Sequence, residues 1–175
     1  MTEACVAVGS NIEPERNIAG ALMLLRAKVD LRALSTFYRT VPLGSPGAPP
    51  FINGAARIET DLTARELKLG VLRGIEEALG RVRGSDRNAP RTIDLDLVWF
   101  GGQVIAEPDL VVPCPEILTR PFIALPLAEL MPGLVLPGGV PLEEIAGALP
   151  TGDLTPLEAL TKKLREEIHH GPEKG

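Results

Sequence analysis

The sequence predicts an α+β fold on the plan strand, helix, strand, strand, helix, strand. That is a ferredoxin-like βαββαβ core with a largely antiparallel sheet, helices on both faces, and an added C-terminal hairpin and helices. Three observations predict it. An all-apolar run, Ala4 to Val8, is followed by Ile18, Leu22, Leu25 and Val29 at helical spacing. Two strand-like stretches, Leu31 to Thr40 and Phe51 to Thr60, are separated by a proline-rich loop. A second helical repeat, Leu67, Val71, Ile75 and Leu79, then precedes an alternating stretch at Ile93 to Leu97.

The first strand, with almost no polar side chain, is expected at the centre of the sheet and covered on both faces. Gly9-Ser10-Asn11 turns it toward a helix opened by Pro14. That turn has two readings, a plain strand-to-helix connection or a backbone cradle beside a ligand. Leu31 to Thr40 carries Leu34, Phe37 and Tyr38 and reads as one strand. The prolines of Val41 to Pro50 forbid a helix there. Phe51 and Asn53 open the third strand on one face. Thr63-Ala-Arg-Glu66 is a capping box for a helix running to about Gly80, on which Glu76 reads as a solvated acid. Gly101-Gly102 turns the chain into two short strands, Val104 to Ala106 and Leu110 to Val112. Thr155-Pro-Leu-Glu158 reads as a second capping box, before a terminal helix carrying Leu157, Leu160, Leu164 and Ile168. His169-His170 and the tail behind it are expected to fray. Residues 1–154 are expected to form one domain and 155–175 a C-terminal helix and tail. Right-handed crossovers would set the first and fourth strands side by side at the sheet centre, with the Gly9 turn and an acid pair at one cleft.

Composition narrows the function. The net charge of −5 argues against binding nucleic acid by bulk charge, and 3% aromatics are too few for a base-stacking platform. Cys5 and Cys114, far apart, form neither a zinc spacing nor a disulfide framework and fit a reducing cytosol. The N-terminus does not read as a signal peptide, and the prolines of Phe122 to Leu142 make it a poor membrane span.

The informative stretch is Arg81 to Phe100. Its first half supplies Arg81, Arg83, Arg87 and Arg91 against Asp86. Its second half puts Ile93, Leu95 and Leu97 on one strand face and Asp94 with Asp96 on the other. Two carboxylates this close repel unless a cation sits between them. With four guanidiniums alongside, the pattern points to a phosphate-rich ligand bridged through magnesium. Such chemistry works by positioning and electrostatics and demands no catalytic Ser, Cys or His. The residues alone leave open a metal-dependent phosphoryl or nucleotidyl transferase and a ligand-binding regulatory module with merely solvated acids.

The run Arg87-Asn-Ala-Pro-Arg-Thr-Ile-Asp-Leu-Asp96 narrows these. With Gly9-Ser10-Asn11, Phe37-Tyr38-Arg39-Thr40, Pro42-Leu43-Gly44, Phe51-Ile52-Asn53, Gly80-Arg81-Val82-Arg83 and Arg120-Pro121-Phe122, it resembles the 6-hydroxymethyl-7,8-dihydropterin pyrophosphokinase family of folate biosynthesis. The resemblance runs from Ala4 to about Leu149. It implies ATP as co-substrate, two magnesium ions on Asp94 and Asp96, and pyrophosphoryl transfer to the pterin hydroxymethyl group with release of AMP. Arg81 and Arg91 would serve the catalytic loop and the phosphates, with Asp96 catalytic. Glu76, Arg83, Arg87, Leu97 and Arg120 would line the ATP side. The pterin would lie between Phe51 and Phe122, read by Asn53 and by backbone groups of Thr40 and Leu43, with Asp94 also touching substrate. The loops Pro42 to Pro50 and Arg81 to Pro90 would close over the nucleotide. The chain would be a cytoplasmic, single-function monomer with no nucleic-acid or membrane partner. Asn88, Cys114 and Asp109 depart from the family pattern, where a Trp, a His and a basic residue often stand.

Overall fold

A computed structural model describes residues 1–41, 47–81 and 92–170. Leu43, Arg83, Arg87, Asn88, Arg91, most of the two closing loops and the tail beyond His170 lie outside the described residues. The chain is mixed α and β. Its main sheet runs β10 (Leu154–Pro156), β3 (Tyr38–Thr40), β4 (Phe51–Thr60), β1 (Thr2–Ser10), β5 (Asp94–Phe100), and β2 (Asp30–Leu34) also pairs with β4. Every pairing in the sheet is antiparallel.

β1 is central, as its apolar run predicts, and its alternation divides the interior in two. Ala4, Val6 and Val8 face a core shared with α1 (Pro14–Arg26), a π-helical stretch (Glu66–Leu72), α2 (Arg73–Ala78) and α5 (Glu158–His169). Cys5 faces a second core with Ile123 and Leu127 of α3 (Pro121–Leu130) and Leu142 of α4 (Leu142–Ala148). Burial pushes the Cys5 thiol up to about 12, so it behaves as a small hydrophobe. β5 lies beside β1, but at the end of the strand order rather than at the centre expected for it. A bulge shifts the register between Cys5 and Val6, which pair with Trp99 and Leu97. Val98 and Trp99 therefore both meet the second core, while Leu97 and Phe100 meet the first.

The expected single strand from Leu31 to Thr40 is two strands, because Ser35, Thr36 and Phe37 find partners outside the ladder. The Ser35 hydroxyl accepts the Ala55 N–H (2.8 Å) while the Ser35 N–H donates to the Ala55 carbonyl (2.9 Å), splicing a side chain into the strand pairing. The Thr36 N–H donates to both Glu129 carboxylate oxygens (3.0 Å each), and the Phe37 N–H to the Thr161 hydroxyl (2.9 Å). Arg165 completes the clamp, donating to the Leu34 carbonyl (2.9 Å) and to Glu129 (3.3 Å). Glu129→Ala should therefore lower unfolding free energy by about 1–2 kcal/mol, read as a lower urea midpoint at unchanged m-value.

The helix after the Thr63 capping box starts as expected. The Thr63 N–H donates to the Glu66 carboxylate (2.8 Å) and the Glu66 N–H to the Thr63 hydroxyl (3.2 Å). Its first two turns are π-helical, so Leu67 and Leu72, five apart, share the buried face. The second capping box does not form. Thr155 pairs with Arg39 in β10, and the Leu157 N–H donates to the Phe37 carbonyl (2.8 Å), so α5 begins after the expected cap. Strand pairing wins over the local motif there. Leu160, Leu164 and Ile168 still dock in the first core. β6 (Ile105–Glu107) and β7 (Leu110–Val112) form the expected hairpin; β8 (Val135–Leu136) and β9 (Val140–Pro141) form another.

Candidate active site

The second face of the sheet carries the site. Register sets Tyr38 opposite Asn53, Asn53 opposite Gly9, and Gly9 opposite Asp94. Directly opposed residues share a face, so Asn53 and Asp94 stand about 10 Å apart with one glycine between them. In the next row Asp96 lies opposite Ala7. Leu95 and Leu97 point into the first core, as their alternation with the acids predicts. The Leu97 side chain is thus turned away from the acids, and only its backbone is available to a nucleotide.

Asp94 is held through Arg81. The Arg81 guanidinium donates to Asp94 (2.9 Å) and pairs with Glu76. Glu76 is 3% exposed, so it is not the solvated acid expected from its place on the helix. The turn that delivers Arg81 explains why. Gly80, at φ +81°, ends α2 in a Schellman motif, with its own N–H on the Glu77 carbonyl (3.0 Å) and that of Arg81 on Glu76 (3.0 Å). The chain folds back and lays the arginine between a helix carboxylate and a strand carboxylate. Ser10 anchors the start of β5, its hydroxyl within hydrogen-bonding distance of the Thr92 carbonyl (2.6 Å) and the Ile12 carbonyl (3.1 Å). The Gly9-Ser10-Asn11 segment is thus strand end as well as turn.

Asp96 keeps an exposed edge while protein crowds the rest of the carboxyl. That crowding, then the charges of Asp94 and Glu116, push it up to about 6; Arg81 and Lys68 pull the other way. Glu116 lies on a short 3-10 turn, Pro115–Leu118, and Lys68 on the π-helical stretch; neither was singled out from sequence, because nothing local links them to Asp96. An all-oxygen donor set under like-charge repulsion suits magnesium, which takes one or two carboxylates and completes its octahedron with water and phosphate oxygens. Among the described residues no group of three or more His, Cys, Asp or Glu is placed to hold a metal.

The other expected site residues lie around this row. The Asn53 amide donates to the Thr40 hydroxyl (3.1 Å). Phe51, at the start of β4, shares the Asn53 face and is half-buried; Phe122, in the first turn of α3, packs on the second core. Arg120 lies 4.0 Å from Glu116. Cys114 is half-buried near the acids; burial raises its thiol, partly offset by a hydrogen bond with the Glu116 backbone. Asp109 is taken up by Arg65, in two hydrogen bonds of 2.9 and 3.0 Å. A separate open recess of about 340 Å³, lined by Asp61, Arg65, Gln103 and Glu107, includes none of these site residues, and its arginine is already paired with Glu107 and Asp109.

The family profile described as 7,8-dihydro-6-hydroxymethylpterin-pyrophosphokinase (HPPK) matches residues 5–132. The chain belongs to the HPPK family. It is 42% identical, over 83% of its length and 90% of the relative's, to the 2-amino-4-hydroxy-6-hydroxymethyldihydropteridine pyrophosphokinase of Pseudomonas aeruginosa. Identity to the enzyme of the same name from Methylorubrum extorquens is 40%, over 87% and 97% of the two chains. Among solved structures, a crystal structure of HPPK-DHPS in complex with substrates superposes with TM-score 0.67 at 12% identity, which speaks for the fold alone. That match covers 85% of this chain and 45% of the larger one.

Proposed function

We propose that the chain transfers the β,γ-pyrophosphoryl group of ATP to the hydroxymethyl oxygen of 6-hydroxymethyl-7,8-dihydropterin, a step of folate biosynthesis. The pterin oxygen bonds to the β-phosphorus and loses its proton. The bond from that phosphorus to the bridging oxygen of the α-phosphate breaks, and AMP leaves. One observation carries the reading: Asn53 and Asp94 flank Gly9 on one sheet face, so a group that reads a heterocycle edge and a carboxylate that holds a metal open onto the same floor. Family membership supplies the chemistry to which that arrangement is put.

Each residue then has a physical task. The Asn53 amide offers donors and an acceptor to the pterin edge, and the rings of Phe51 and Phe122 offer faces to a flat ring. Thr40 steadies the amide and, with Leu43, adds backbone groups. Asp94 and Asp96 would hold the two magnesium ions, which would supply the positive charge that neutralises the triphosphate. Arg81 and Arg91 stabilise charge on the phosphates as the leaving oxygen departs. Glu76 keeps Arg81 aimed, while Arg83, Arg87, Arg120 and the Leu97 backbone serve the nucleotide. The strand order, with β2 and β3 beside β4, then β1 and β5, supports the ferredoxin-like plan. Two free cysteines favour a cytoplasmic setting, and among the described residues no helix is long and apolar enough to cross a membrane. We read the chain as a monomer with residues 1–154 as its catalytic unit. Incubation with ATP, magnesium and the hydroxymethyl dihydropterin should yield AMP. Formation of ADP, or no consumption of nucleotide, would refute the reading.

A further inference from the structure

We propose that Gly9 is a positioning residue: its missing side chain is what lets the Asn53 amide lie down across β1 in the orientation that reads the substrate. The proposal rests on the assignment of Asn53 to the pterin edge. Side chains on a sheet normally stand roughly perpendicular to it, and opposed neighbours fill the space side by side. Asn53 does not stand alone beside a filled neighbour. Its Nδ2 donates to Thr40 on β3 (3.1 Å), and its Oδ1 extends the other way, over Gly9 on β1. A Cβ built on Gly9 would lie 2.5 Å from that oxygen, closer than real Cβ atoms come to any neighbour. Gly9 is absent from the residues with positive φ, so space and not backbone conformation is the reason for glycine here.

The atom in the way is the end of a side chain, not backbone. A methyl at Gly9 would therefore be accommodated by rotating Asn53, at little cost to the fold. The rotation would move the acceptor oxygen or break the bond to Thr40, and either removes the geometry that a heterocycle edge must match. Gly9 also lies in register with Asp94 on its other side, so the bare backbone keeps the floor between amide and carboxylate low. By contrast, a Cβ at Gly54 would strike the ring of Phe37 at 2.6 Å inside the first core, where the same substitution is a packing defect.

The test compares Gly9→Ala, Asn53→Ala and the double variant in the full chain. It measures KM for the hydroxymethyl dihydropterin and for ATP, the urea midpoint, and the Asn53 side-chain amide resonance of the substrate-free protein. Gly9→Ala should shift that resonance and raise KM for the pterin about tenfold or more, the range expected when a site hydrogen bond is lost. KM for ATP should stay within about twofold. The double variant should be no worse than Asn53→Ala alone, and should recover any stability lost by Gly9→Ala, because the clashing partner is gone. If Asn53→Ala raises the pterin KM and Gly9→Ala leaves both KM and resonance unchanged, the positioning role is wrong. If Asn53→Ala itself leaves the pterin KM unchanged, the assignment of Asn53 fails and the role of Gly9 falls with it.

Discussion

Asp96→Asn is expected to reduce turnover by about 10³-fold or more while making the metal-free protein slightly more stable at pH 8. The two effects share a cause. Crowding and the nearby charges of Asp94 and Glu116 hold the Asp96 carboxyl at about 6, above the value of about 3.9 for an unfolded chain. Between those values the folded protein binds more protons than the unfolded chain, so stability falls as pH rises from about 4 through about 6 and stays lowered above. An amide removes that penalty. The gain is less than about 1 kcal/mol, because the exposed edge of Asp96 is screened by solvent. Urea titrations at pH 4 and pH 8 should show the variant and parent alike at the lower pH and the variant ahead at the higher. Magnesium should raise the parent's midpoint at pH 8 more than the variant's. A variant with near-normal turnover would rule out Asp96 as a metal ligand.

Arg81→Met should have the largest effect on the fold itself, lowering unfolding free energy by about 3 kcal/mol and turnover with it. The arginine lies between Glu76, which is buried, and Asp94, which is partly exposed, and removing it takes the cation from between the two acids. Arg81→Lys should recover part of the stability, since a single nitrogen, Nη1, meets both carboxylates, but little turnover, since an ammonium lacks the remaining guanidinium N–H groups that would serve the phosphates. Urea denaturation with steady-state rates on the three proteins checks this. A fully stable Arg81→Met would show that the arrangement does not depend on the arginine.

Much of this was legible in the residues because it is local. Alternation in Asp94 to Leu97 separates acids from core whatever the partner strand, and the Thr63 capping box is closed by residues three apart. What was not legible depends on distant partners. The break at Ser35 to Phe37 is held by Ala55, Glu129 and Thr161, and no pattern within Leu31 to Thr40 announces them. Thr155 carries a sound capping motif, but Arg39 lies in register to pair with its backbone, and the strand prevails. Glu76 reads as an ordinary helix acid until the Gly80 turn brings Arg81 back onto it. Likewise, the glycine at position 9 is explained by an oxygen on β4, not by the turn that follows it.

The central claim is that both terminal phosphates of ATP move together onto the pterin. ATP labelled at the β-phosphorus tests it most directly, with magnesium, the hydroxymethyl dihydropterin and the intact chain. The label is predicted in the pterin diphosphate, with unlabelled AMP formed in equal amount; label retained in ADP or released as inorganic pyrophosphate would contradict it.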